Sequence, residues 1–192
     1  MKQLLLLLLF LNCSCTAQSD GITVIDTKNK IYNEAVKSSK SDFWIYDASY
    51  QKLSYPNGDV STGGACTDLV IRVLRRCGLD LQKVIHEDIS VNFDIYPNKW
   101  GLSKPDKNID HRRVPNIMTY FKRMGYNKPI SNDVKNYEPG DIICWSLNGR
   151  LTHIGIYMGN KSIYHNIGPY SKLEEDFLFA YPIIGHYRIN NL

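Results

Sequence analysis

The stretch Gly63–Arg76, GGACTDLVIRVLRR, decides how the rest of the chain is read. Its two leading glycines allow a sharp turn. Leu69, Val70, Val73, Leu74 and Cys77 then recur at helical spacing, and Gly78 is a suitable stop. The pattern predicts a helix over 66–77 with Cys66 in its first turn. Unpaired backbone N–H groups and the positive dipole end at a helix start favour an anion, so a thiol placed there is drawn toward thiolate. A plainer reading fits the same letters, because Cys66 shares its stripe with Val70, Val73 and Cys77 and could simply fill apolar space. Residues far along the chain separate the two.

Upstream, Ile31, Ala35 and Val36 mark a helix over 26–40, followed by an irregular stretch with turn signals at Pro56-Asn57-Gly58. Downstream, a helix within 80–92, a long loop over 96–113 and a helix over 115–124 ending at Gly125 are expected. The last third changes character. DIICWSL, LTHIGIYMG, KSIYHNIG and IGHYRI are short, β-branched and aromatic, and predict four strands. Helices first and strands later define an α+β domain with an antiparallel sheet, on which the Cys66 helix would pack.

A chain of 192 residues with 43% hydrophobic and 22% charged residues suits one globular domain. Its net charge of +4 has no basic cluster behind it and gives no argument for nucleic acid. Met1-Lys2 and the apolar run Leu4 to Leu11 read as a secretory signal over 1–17, since a membrane span needs about 20 residues. The small-x-small site Cys15-Thr16-Ala17 would release a chain starting at Gln18; alternatively Cys13 or Cys15 carries a lipid anchor. Export to the periplasm or cell envelope is expected either way. This divides the chain into a signal (1–17), a lead and helix (18–45) and a single domain (46–192). Cys66, Cys77 and Cys144 remain, an odd number. Eleven residues of helix separate Cys66 from Cys77 by roughly 16 Å, beyond the reach of about 7 Å that a disulfide allows. A Cys77–Cys144 bridge stays open.

His153 lies inside a strand pattern and His165 follows twelve residues later. Singly each reads as a structural histidine; together they supply a base and an orienting group for a thiol. Opposed residues of a hairpin share a face and have position numbers of constant sum. A two-residue turn at Asn160-Lys161 makes that sum odd and puts the histidines on opposite faces. Cooperation therefore requires a bulge or a three-residue turn, which Gly155 or Gly159 would permit.

A Cys at a helix start, then HIGIYMGN, then an aromatic-His strand resembles the NlpC/P60-type peptidases of the papain-like cysteine peptidase clan. SYPNGDV, CTDLVIR, DLQ, HED, IDHRRVPN, PGDII, HIGIY and HNIG together resemble, more narrowly, an uncharacterised branch of that clan, the DUF1287 domains of unknown function. This likeness covers about 46 to 189. It implies a papain-like fold, no cofactor, and cleavage of an amide or peptide bond in bacterial peptidoglycan or muropeptides by a monomer. Cys66 would be the nucleophile, His153 the base and His165 its orienting partner. Tyr55, eleven residues before Cys66, would take the family tyrosine's place at the oxyanion. One departure stands out: the family reads Asp-Cys-Ser-Gly where this chain has Ala65-Cys66-Thr67-Asp68.

Asp68 would cap or pair near the site, or contact substrate. His111, Arg112 and Arg113 suit carboxylate recognition on an acidic peptide, with loop bracing as the alternative. Trp44, Tyr46 and Tyr50 are expected in the core, and His186 is expected to be structural. No His-x-x-x-His pair supports a metal site. An inert wall-binding module, or a thiol acyltransferase, transglutaminase or lipid amidase, are the competing functions.

Overall fold

A computed structural model describes residues 27–190 and 192. The signal read over 1–17 lies outside the described residues. Helices α1 (Thr27–Ser41), α2 (Cys66–Arg76), α3 (Leu81–Val91) and α4 (Val114–Arg123) precede strands β1 (Ile142–Ser146), β2 (Thr152–Gly159), β3 (Ser162–Asn166), β4 (Ser171–Glu174) and β5 (Ile183–Tyr187). The strands form one antiparallel sheet in the order β4-β3-β2-β1-β5. The architecture is therefore α+β, with five strands where the sequence predicts four. The additional strand is β4, a four-residue edge whose Lys172 and Leu173 are not buried. Such a half-exposed, charge-bearing edge has no strong period-2 hydrophobic signal.

Both faces of the sheet are covered. Leu69, Val70, Val73 and Leu74 of α2 share a core with Ile142, Cys144, Ile154, Ile156 and Tyr164. On the opposite face Ile143, Trp145, Tyr157 and Ile163 pack with Phe177 and Leu178 of the loop after β4. That double burial is why β1 and β2 read as nearly unbroken apolar runs. Ile31 and Ala35 of α1 belong to the α2 core. Cys66, Cys77 and Cys144 are all free thiols, so the Cys77–Cys144 bridge is not formed.

The β2–β3 hairpin meets the parity requirement with a bulge. Asn160 and Lys161 form a two-residue turn with φ of 48° and 63°, and Gly159 pairs with Ser162. The register shifts between Tyr157 and Gly159, leaving Met158 as the extra residue. Tyr157 then faces Ile163, Ile156 faces Tyr164 and Gly155 faces His165, which is an even sum. His153 and His165 thus leave the sheet on one face.

Candidate active site

The turn before Cys66 needs both its glycines. Gly63 has φ +60°, and a Cβ there would lie 2.3 Å from the Ile45 carbonyl oxygen. Gly64 has φ +145°, and its Cβ would meet Asp68 Cβ at 2.7 Å. This close approach lets Tyr46 form a parallel bridge with Gly64. Asn166 Nδ2, at the end of β3, donates to the Gly64 carbonyl at 2.8 Å and so ties the turn to the sheet.

β3 pairs with β2 only as far as Gly155 and His165. Beyond that point no ladder pair joins the two strands, and Asn166 of β3 instead holds the Gly64 turn before α2. The Cys66 sulfur accepts the backbone N–H of Ile154, one residue from His153. The sulfur thus sits at the β2 backbone beside His153, whose ring packs with Trp145 and Phe177. Cys66 keeps 7% of its surface open.

From His153 a line of side chains runs outward across the strands. His153 Nε2 lies 2.8 Å from His165 Nδ1, and His165 Nε2 lies 3.0 Å from Glu174 Oε2. Lys172 Nζ closes on the same Glu174 oxygen at 2.7 Å. The carboxylate can only accept, so His165 carries its proton on Nε2 and accepts at Nδ1. The His153 proton is then on Nε2, and its Nδ1 keeps a lone pair. Phe177 covers both rings, with centroids 4.2 Å from His165 and 5.9 Å from His153, while Trp145 stacks on His153 at 5.6 Å.

Burial sets the protonation states. It pushes the Cys66 thiol up to about 11, helped by the Asp68 charge and opposed by the Ile154 N–H. Burial, together with the neighbouring His165, lowers His153 to about 3. His165 falls to about 4 by burial, against the pull of its hydrogen bond to Glu174. Glu174 is itself held below its usual range: burial raises it, but Lys172 and His165 outweigh that. At neutral pH the resting pair is a thiol and a neutral imidazole.

Other expected site residues lie elsewhere. Tyr55 packs edge-on against His86 at 5.2 Å, with Lys107 5.7 Å above its ring and Glu87 and Asp80 nearby, so it is not the tyrosine of this site. Tyr46 is the tyrosine near the thiol: burial first, then the charges of Cys66 and Asp68, raise it. Tyr46 and Tyr50 are 43% and 54% exposed rather than in the core. Asp68 and Arg112 are both buried and bonded to each other, out of a substrate's reach. His111 is buried too, with Nδ1 unpartnered, and burial followed by the Arg112 charge lowers it to about 3. Arg113 lies between Asp110, at 3.1 Å, and the Trp100 ring, at 4.0 Å, and braces the loop. His186 is structural, held between Asp141 and the Pro129 carbonyl. No cluster of three His, Cys, Asp or Glu suited to a metal ion occurs among the described residues.

Fold and site together define an α+β domain with a thiol at a helix start and two linked imidazoles on adjoining strands. Residues 33–189 match the family model described as Domain of unknown function (DUF1287), and the chain belongs to that family. It is 47% identical over 151 residues to the uncharacterized protein YijF of Escherichia coli strain K12, covering 75% of this chain and 73% of that protein. Among solved structures it is similar to NlpC2 from Trichomonas vaginalis, with a TM-score of 0.46 and 16% identity over 91% of this chain and 49% of the other. It is also similar to a lipoprotein-like NLP/P60 family protein from Staphylococcus aureus, with a TM-score of 0.41 and 16% identity over 86% and 42%. The chain spans about half the length of these two solved proteins or less.

Proposed function

We propose that this protein is an exported, thiol-dependent hydrolase that cleaves an amide bond in bacterial peptidoglycan or muropeptides. The observation that carries the reading is the hydrogen-bonded line from Glu174 through His165 to His153, one residue along β2 from the Ile154 N–H that the Cys66 sulfur accepts. In that line His153 Nδ1 takes the thiol proton as sulfur attacks the carbonyl carbon. The Cys66 backbone N–H and the Tyr46 hydroxyl stabilise the oxyanion. His153 returns the proton to the leaving amine as the C–N bond breaks, and water then hydrolyses the thioester. His165 and Glu174 hold the His153 tautomer and stabilise its transient positive charge.

Export rests on the signal pattern of residues 1–17, with a lipid anchor at Cys13 or Cys15 as the second route to the envelope. The test is incubation of wild type and Cys66→Ser with purified muropeptides and intact sacculi, with products identified by mass spectrometry. Wild type should release a fragment with a new amine and a new carboxylate, and Cys66→Ser none. Unaltered substrates with folded wild type would overturn the substrate assignment. Transfer of the acyl group to an amine instead of water is the other outcome this experiment can show. Added amines appearing in the product distinguish it.

A further inference from the structure

The Asp68–Arg112 pair stands where this chain departs from the Asp-Cys-Ser-Gly pattern. Its side chains are 4% and 2% exposed. Arg112 grips the carboxylate with a two-pronged fork, Nε to Oδ1 at 2.8 Å and Nη2 to Oδ2 at 2.9 Å. The same carboxylate accepts the Ala65 N–H at 2.7 Å, across the first turn of α2. Arg112 also donates from Nη1 to the Ser49 carbonyl at 2.7 Å, and its own carbonyl accepts the Thr67 hydroxyl at 3.2 Å. One guanidinium thus joins the start of α2 to the segment that carries Tyr46.

An acidic residue in the first turn suits the helix dipole. Two residues from a nucleophilic sulfur it also opposes thiolate, since like charges raise each other's proton affinity. The charged or titratable groups acting at the sulfur are Asp68 on α2, Tyr46 on the preceding segment and Cys144 on β1, with His153 one residue along β2 from the Ile154 N–H that the sulfur accepts. Asp68 is the one carboxylate among them. We propose that Arg112 is a positioning residue that weakens the field of the Asp68 carboxylate at the Cys66 sulfur, so that an anion can cap the helix start while opposing the thiolate less than a bare carboxylate would. The proposal rests on Cys66 being the nucleophile, but its test reads the thiol and not turnover, so the two can fail separately.

The test is the rate of Cys66 alkylation by iodoacetamide at pH 8 in the full chain, resolved from Cys77 and Cys144 by peptide mapping. Arg112→Gln leaves the carboxylate unmasked and should slow alkylation about ten-fold, whereas Asp68→Asn removes the charge and should speed it about ten-fold. The double variant should return to within about two-fold of wild type, because both charges are gone. If Arg112→Gln does not fold, the Asp68→Asn single and the double variant carry the test with the same expected rates. A purely structural brace would loosen the turn in either single variant and speed both. Rates moving in the same direction, or neither moving by more than about two-fold, would overturn the proposal.

Discussion

Tyr46 and Tyr55 show what a single residue's surroundings decide. Both stand upstream of Cys66, and chain spacing favours Tyr55. The parallel bridge between Tyr46 and Gly64 instead brings the earlier tyrosine beside the helix start that carries the sulfur. Burial and the nearby Cys66 and Asp68 raise its ionisation point, so its hydroxyl stays a neutral donor. Tyr46→Phe should lower kcat/KM on muropeptide about 100-fold, equivalent to roughly 3 kcal/mol of oxyanion stabilisation. Tyr55→Phe should leave it within about two-fold, and the reverse ranking would refute the assignment. Cys66, His153 and His165 were legible in the sequence because a helix start and a strand pair place them. Tyr46 and Glu174 were not, since a tertiary bridge and the β3–β4 register bring them in.

Among the elements, the β2–β3 hairpin carries the most consequence. The need for an even register follows from the sequence alone; that Met158 supplies it is visible only in the pairing. Gly155 is the counterpart of that bulge. A Cβ on it would lie 2.7 Å from Ile163 Cγ2 and 3.1 Å from His165 Cβ. Gly155→Ala should therefore destabilise the fold by about 1–3 kcal/mol, read as a lower urea midpoint at unchanged slope. An unchanged midpoint would mean that the hairpin yields there without cost. The helices were read to within two residues or so from their apolar stripes, because amphipathic periodicity survives burial on one side. β4 escaped because a short edge strand gets its pairing from β3, not from its own side chains.

At the scale of the whole molecule, three buried histidines make stability depend on pH. His111 and His153 are depressed to about 3 and His165 to about 4, chiefly by burial. The unfolded chain takes up these protons near pH 6.5, where the folded chain does not. Stability is thus fully present above about pH 6.5 and falls as the pH drops, by up to about 1.4 kcal/mol per pH unit for each histidine. Urea midpoints at pH 7, 6 and 5 should decline steadily, and His111→Asn should flatten that decline by about a third. A midpoint constant from pH 7 to 5 would contradict the buried, neutral state of these rings.

The acyl group itself gives the sharpest view of the chemistry. Wild type and His153→Ala, mixed with muropeptide and quenched in acid, can be digested and mapped by mass spectrometry for a thioester. Substrate mass is expected on the peptide containing Cys66 in wild type, and far less in His153→Ala. A thioester on Cys77 or Cys144, or none on Cys66 while substrate is consumed, would contradict it.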